Sequence, residues 1–338
     1  MAKKVLLLAN LGSPDSTDTK DVSSYLSEFL MDERVIDIPY LARMLLIKGI
    51  IVPLRAPKSA NKYKTIWTEN GSPLIHITNE LAKKVQIFSG LPVYVCMRYA
   101  NPSIDTVMKR ISTEHPDLEE LVMLPLYPHY AMSSYETAVV QAETIYKANN
   151  YKFTLKIVKP FYNHPKFISA LAASMKPYLT GDYDHVLFSY HGIPERHVRK
   201  TDPTKKHCMN SNDCCAVNSE AAEFCYRHQI IETTKLVAKE LNLPSDKFSF
   251  SFQSRLGQDK WLKPFTVTQL NEFPAKNIKN LVVVCPAFVS DCLETLEEIR
   301  IEGKEDFLKA GGNKFDVVPC LNTNDDWVAA VHQLALEA

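Results

Sequence analysis

Eight short runs dense in Val, Leu, Ile and Phe, separated by longer stretches of helical periodicity, constrain this chain more than any other feature. Four fall in the first half, at Lys4–Gly12, Val93–Tyr99, Leu121–Tyr127 and Phe153–Phe161. Four more fall in the second, at His185–His191, Phe248–Ser254, Asn280–Phe288 and Phe315–Leu321. A strand that is apolar almost throughout has both faces covered, and strands that alternate with helices pair in parallel. The expected fold is therefore α/β, with two tandem doubly wound, Rossmann-like domains, each on a parallel four-stranded sheet. A chain of 338 residues gives each of them enough length to bury a core. The predicted domains are residues 1–161 and 162–324, with a C-terminal helix over 325–338 packing back on the first. No low-complexity linker separates the halves, so the active site is expected in a tight cleft between the domains.

Ligands of open parallel sheets gather at the carboxyl ends of the strands. Here those ends read Asn10-Leu11-Gly12-Ser13-Pro14, Tyr127-Pro128-His129-Tyr130, Ser189-Tyr190-His191-Gly192 and Val289-Ser290-Asp291. No G-x-G-x-x-G follows the first run, no Walker A sequence occurs, and there are only 10 glycines, so no nucleotide cradle is supported. The 39 basic and 39 acidic side chains cancel, which removes any global attraction to nucleic acid. The apolar stretch from Tyr40 to Leu54 is interrupted by Arg43, Lys48 and Gly49 and falls short of the ~20 residues a bilayer span needs. It reads as a core helix with a loop, as the rim of an apolar pocket, or as a peripheral membrane contact. Lys3-Lys4 leads into an apolar run too short for a signal peptide, so the expected location is cytoplasmic, and the eight cysteines are expected as thiols, metal ligands or redox groups.

His191 ends a strand and is followed by Gly192-Ile193-Pro194, which turns the chain away from it. An imidazole there serves as a proton acceptor near neutral pH, or simply as a satisfied strand-end histidine. After the next apolar run comes Ser290-Asp291-Cys292-Leu293-Glu294-Thr295-Leu296-Glu297-Glu298. On a helix starting here, Asp291, Glu294 and Glu298 share one face. Such a stripe guides a divalent cation or carries protons outward, while Asp291-x-x-Glu294 is equally the spacing of a helix cap. Arg98-Tyr99, the tyrosines 127, 130 and 135, and Trp261 beyond Gln253-Ser254-Arg255-Leu256-Gly257 suit a large flat ligand bearing carboxylates. Cys208, Cys214, Cys215 and Cys225 lie in one short polar segment, with a helix expected to begin near Asn218 or Ser219. Four such thiolates hold an iron–sulfur cluster or a zinc ion, or remain free. Adjacent cysteines strain one tetrahedral ion more than a two-iron cluster, which favours the cluster over zinc.

Together these motifs resemble ferrochelatases over nearly the whole chain. The resemblance rests on Asn10 to Pro14, Leu54-Arg55-Ala56-Pro57 with Tyr63 and Trp67, Gly71-Ser72-Pro73-Leu74, and Met97-Arg98-Tyr99. It continues through Leu126-Tyr127-Pro128-His129-Tyr130, Phe188 to Pro194, Phe252 to Gly257 with Trp261, and Ser290 to Leu296. The resemblance implies insertion of ferrous iron, as substrate, into protoporphyrin IX in haem biosynthesis, by a lyase that grips the porphyrin between two domains. It implies His191 as the base for pyrrole protons, Glu294 as its catalytic partner, and Asp291 and Glu298 on a metal or proton path. Leu11, Arg55, Arg98, Tyr99, Tyr127, Tyr130 and Trp261 are implied porphyrin contacts, and Tyr40–Leu54 an apolar lip that in this family can touch a membrane. Some bacterial members carry an internal run of four cysteines on a 2Fe–2S cluster, which matches Cys208, Cys214, Cys215 and Cys225. Two positions depart from the pattern. Many members have histidine where Cys292 stands, and a thiolate there implies tight binding of soft metals. The coproporphyrin-using branch usually has tyrosine where Leu11 stands. A non-catalytic haem or iron–sulfur sensor, or a chelatase for another tetrapyrrole or metal, are the competing readings.

Overall fold

Val5, Leu7 and Leu8 at one end of the chain, and Val186, Leu187 and Phe188 beyond its middle, have no exposed surface. Each trio is the heart of a strand covered on both faces. The computed structural model describes residues 3–211, 213–255 and 259–338. Its strands are β1 (Lys4–Asn10), β2 (Val93–Met97), β3 (Glu120–Pro125), β4 (Thr154–Ile157), β5 (His185–His191), β6 (Phe248–Gln253), β7 (Asn280–Val284) and β8 (Lys314–Val317). They form two four-stranded sheets, ordered β2-β1-β3-β4 and β6-β5-β7-β8, with every pairing parallel. The two sheets repeat one topology. From the first strand the chain crosses to one side, then returns to the other, so loops diverge between β1 and β3 and again between β5 and β7. Such divergence points are where doubly wound sheets open a crevice.

Several strands stop short of their expected carboxyl ends. β1 ends at Asn10, whose side-chain Oδ1 accepts the Leu11 N–H at 2.8 Å, and two residues later Gly12 sits at φ +109°. A Cβ on Gly12 would lie 2.0 Å from the Tyr99 carbonyl oxygen, so glycine is required there. β7 ends at Val284 because Cys285-Pro286 enters a turn closed by the Phe288 N–H on the Cys285 carbonyl at 3.1 Å.

Contacts divide the chain into one unit of Met1–Leu126, Met132–Lys159 and Val328–Ala338, and a second of Tyr127–Ala131 and Pro160–Trp327. The short segment Tyr127–Ala131, expected with the first half, thus belongs to the second. The terminal helix runs Asp325–Leu336, and most of it counts with the first unit. In the second unit Leu187, Leu281, Val283, Ile299, Phe307 and Phe315 pack into one buried cluster between sheet and helices. That rigid base carries the loops after β5 and β7.

Candidate functional site

In the second unit, His191 is the last residue of β5 and is half-buried. Its Nδ1 lies 2.7 Å from the Gly192 carbonyl oxygen. A carbonyl only accepts, so Nδ1 carries the hydrogen, and in the neutral imidazole Nε2 holds the lone pair. The backbone that sets this geometry is itself held. The Gly192 N–H donates to the Gln253 carbonyl at 2.8 Å, and the Tyr226 hydroxyl donates to the His191 carbonyl at 2.8 Å. The Trp261 ring closes on Gly192, where an added Cβ would come within 3.2 Å of it. Trp261 is 9% exposed, and its indole N–H has no hydrogen-bond partner among the described residues.

The acids after β7 are not one stripe on an α-helix. A π-helix covers Glu294–Gly303, and Asp291 precedes it. The Asp291 carboxylate accepts from Asn322 Nδ2 at 2.7 Å and Thr295 Oγ1 at 2.9 Å, and Thr295 Oγ1 accepts the Cys292 N–H at 3.0 Å. Asp291 therefore anchors the turn into the helix, which corrects the expected shared face. Glu298 accepts both the N–H and the hydroxyl of Ser254, at 2.7 and 2.5 Å. Ser254 holds φ +67°, a left-handed conformation that a residue other than glycine adopts at a cost of order 1–3 kcal/mol. Burial raises the pKa of Glu298 and the charge of Glu294 adds to this, while the Ser254 bonds and nearby His191 oppose it. His191 and Glu294 therefore each lie within electrostatic reach of Glu298. Gln253, 4% exposed, ties them further by donating from Nε2 to the Glu294 carbonyl at 2.8 Å.

Cys292 is buried, and burial first, then the charge and hydrogen bond of Glu294, push its thiol well above the usual range. Burial therefore disfavours the thiolate at this position. Leu256 and Gly257 of the Gln253–Gly257 motif lie outside the described residues.

The first unit supplies a second arrangement. The Arg98 guanidinium pairs with Asp32 and donates from Nε to Thr137 Oγ1 at 2.7 Å. It also lies 4.2 Å above the Tyr99 ring centre, and the Tyr99 hydroxyl donates to Asp32 at 3.0 Å. Burial opposes ionisation of Asp32, yet bonds from Thr137 and the Arg34 N–H together with the charge of Arg98 hold its pKa below the ordinary value. Tyr99 has no exposed surface, so it is a platform for Arg98 and not the ligand wall the sequence suggested. Leu11 is half-buried, Arg55 is exposed, and the helical segments over Tyr40–Ile66 display Tyr40, Leu41, Leu45, Ile50 and Leu54, each at least 55% exposed. Tyr127 is buried, while half-buried Tyr130 donates its N–H to Gln229 Oε1 at 2.6 Å.

The four cysteines meet. Cys208, Cys214, Cys215 and Cys225 line one pocket with His207 and His228. Cys208, Cys214 and Cys225 are each 3% exposed. A hydrogen bond with Cys225 lowers the Cys208 pKa and raises that of Cys225 to about 12. Arg227 donates toward Cys214 and Cys215 at 3.7 and 3.4 Å. Ser219 caps only a 3-10 turn over Glu220–Phe224, and the α-helix starts later, at Tyr226 with Cys225 as its cap. Among the described residues no group of three or more His, Cys, Asp or Glu side chains is preset to hold a metal ion. Asn212, within this segment, lies outside the described residues.

Sequence reasoning singled out His191, Glu294 and the cysteines but missed Asp32, Thr137 and Tyr226. Asp32 and Thr137 stand 66 and 39 residues from Arg98, and no local pattern links them. Tyr226 adjoins Cys225, which was a signal available to be followed.

A family model described as Ferrochelatase matches residues 3–338. The ferrochelatase of Pseudomonas savastanoi pv. phaseolicola is 43% identical over 339 residues, covering 100% of this chain and 99% of its own. That of Stutzerimonas stutzeri is 44% identical over 341 residues, with the same coverage of 100% and 99%. Among solved structures, SirB from Bacillus subtilis with Fe3+ aligns at a TM-score of 0.55 and 10% identity, covering 99% of this chain and 95% of its own, which shows a shared fold.

Proposed function

Because the chain belongs to the ferrochelatase family, lyases that insert ferrous iron into porphyrin in haem biosynthesis, we propose that its substrate is protoporphyrin IX and that His191 takes the pyrrole protons. Insertion converts a porphyrin with two N–H groups and one Fe2+ into the metalloporphyrin and two protons. A base must therefore present a lone pair to each proton in turn. The observation that carries this role is the Nδ1 contact to the Gly192 carbonyl, which leaves Nε2 as the acceptor. Glu298 lies within electrostatic reach of His191, and Glu294 within reach of Glu298, which supports a shared charge. Glu298, whose carboxyl holds its proton above the ordinary range, is suited to receive a proton from the imidazole and release it outward.

Trp261, Tyr130, Tyr127 and Leu11 offer flat or apolar contact to a macrocycle, and Arg98 and Arg55 offer cations to its propionates. Tyr99 supports Arg98 in this reading, and Asp291 supports the turn that presents Glu294. An apolar Leu11 suits the vinyl groups of protoporphyrin better than the additional propionates of coproporphyrin. The exposed row Tyr40, Leu41, Leu45, Ile50 and Leu54 fits a peripheral contact with the membrane from the cytoplasmic side. No described helix is long and apolar enough to cross a membrane.

The cysteine pocket fits a 2Fe–2S cluster. Four thiols of one short segment converge on one cavity, with Arg227 and the His228 N–H directed at their sulfurs. When bound, the cluster supplies a one-electron redox centre and a cross-link between the loop and the helix from Tyr226. Zinc is the less favoured occupant, because Cys214 and Cys215 are adjacent.

The test is anaerobic turnover with Fe2+ and either protoporphyrin IX or coproporphyrin III. Preference for protoporphyrin, read as kcat/KM, supports the reading, and preference for coproporphyrin overturns the substrate assignment. Absence of turnover with both, in protein carrying its full iron content, would favour a sensor.

A further inference from the structure

The four-cysteine pocket and His191 are separate features of the second unit, and one residue joins them. Cys225 caps the helix Tyr226–Glu240, its Sγ accepting the His228 N–H at 3.4 Å. The next residue, Tyr226, is 5% exposed and donates its hydroxyl to the His191 carbonyl at 2.8 Å. The peptide plane between His191 and Gly192 is thereby clamped at both ends, its C=O by Tyr226 and its N–H by the Gln253 carbonyl. The orientation of that plane sets where the following carbonyl, of Gly192, lies, and that carbonyl fixes the imidazole tautomer. Farther along the same helix, the Thr234 hydroxyl meets the Tyr190 hydroxyl at 2.8 Å. The side of the Tyr226 ring is filled by buried His129, at 5.9 Å between ring centres and nearly perpendicular, which is itself bonded to Thr233 at 2.9 Å. The phenol therefore has little freedom to reach any other acceptor.

We propose that Tyr226 is a positioning residue that couples the occupancy of the four-cysteine pocket to the orientation and tautomer of the His191 imidazole. The inference rests on His191 being the base. A group bound by Cys225 fixes the first turn of the helix, and through the Tyr226 hydroxyl that turn fixes the His191–Gly192 peptide. An emptied pocket leaves the same hydrogen bond anchored to a loop that no longer has its cross-link. Residues that orient a reacting group from behind it commonly change activity by ~10–100-fold when altered.

The experiment uses Tyr226→Phe, which removes one oxygen and keeps the ring packing. In cluster-loaded protein the expected result is a kcat about 10-fold lower, a KM for porphyrin within about twofold of wild type, and unchanged iron, sulfide and visible spectrum. A companion readout is 15N NMR of histidine-labelled protein, with the His191 signals assigned by their absence in His191→Ala. Depleting the cluster should shift those signals in the wild type and leave them nearly unmoved in Tyr226→Phe. Wild-type kcat in Tyr226→Phe, or an equal response of the His191 signals to depletion in both proteins, would overturn the coupling. So would loss of cluster iron from Tyr226→Phe, since the hydroxyl would then serve the pocket and not the histidine. Retained turnover in His191→Ala would instead sink the underlying assignment of the base, and is read separately.

Discussion

Gly192→Ala probes the backbone that aims His191 without touching the imidazole. The added methyl would sit 2.8 Å from the Gln253 carbonyl oxygen and 3.2 Å from the Trp261 ring. Ordinary contact begins near 3.4 Å, so the Gln253 carbonyl must give by about 0.6 Å and the Trp261 ring by about 0.2 Å. The bond between the Gly192 N–H and that same Gln253 carbonyl is what gives way, and with it the carbonyl that holds Nδ1. Overpacking of this kind costs ~1–3 kcal/mol of stability. A misplacement of ~1 Å is enough for a 100-fold loss of rate, so a shift of half that size predicts a fall in kcat of roughly 10- to 100-fold. The assay is anaerobic iron insertion, with porphyrin affinity from fluorescence quenching and Tm from a thermal melt. Affinity should change much less than kcat. Gly49→Ala is the control, because a Cβ there meets nothing within 4 Å; it should retain turnover and gain up to ~1 kcal/mol from helix propensity. Turnover of Gly192→Ala within twofold of wild type at an unchanged Tm would refute the claim that this peptide is sterically fixed.

Asp32→Ala leaves the Arg98 guanidinium buried without its counter-ion, and should destabilise the first unit by ~3–5 kcal/mol in denaturant unfolding; a loss below ~1 kcal/mol would show the pair to be dispensable. Glu298→Gln tests the raised pKa. The folded form binds more protons than the unfolded one, whose carboxyl titrates near 4.5, so wild-type stability from this group falls as pH rises above that value. The Tm advantage of Glu298→Gln should therefore grow as pH rises from the unfolded carboxyl's range through the raised folded one, and a gap that is constant or shrinks contradicts the shift. Cys214→Ser should lose bound iron, sulfide and the visible spectrum together, and an unchanged iron content would remove Cys214 from the ligand set.

The fold was legible because strand burial is written in consecutive residues. Val186-Leu187-Phe188 can only be a covered strand, and the β5 expectation of His185–His191 matches the observed strand end to end. Carboxyl-terminal bounds were harder, since Leu11, Tyr127 and Phe288 remain apolar while the hydrogen-bonded ladder has already ended. The acids after β7 were recognisable by type but not by geometry. Their spacing predicts an α-helical period where a π-helix forms, and Asp291 is drawn away by Asn322, which lies 31 residues further on. Arg98 was visible as a cation at a strand end. Its commitment to Asp32 was not, because a buried ion pair is decided by tertiary packing and leaves no periodicity. Ser254 is a similar case, since a left-handed serine is sustained by its two bonds to Glu298 and by nothing in its neighbours' sequence.

The central claim is that Nε2 of His191 receives the pyrrole protons while other residues hold the macrocycle. His191→Ala, assayed for porphyrin binding by fluorescence quenching and for iron insertion in the same anaerobic sample, addresses it directly. The account predicts porphyrin affinity close to wild type with insertion abolished. Insertion at a near wild-type rate, with the macrocycle bound as tightly as before, would contradict it.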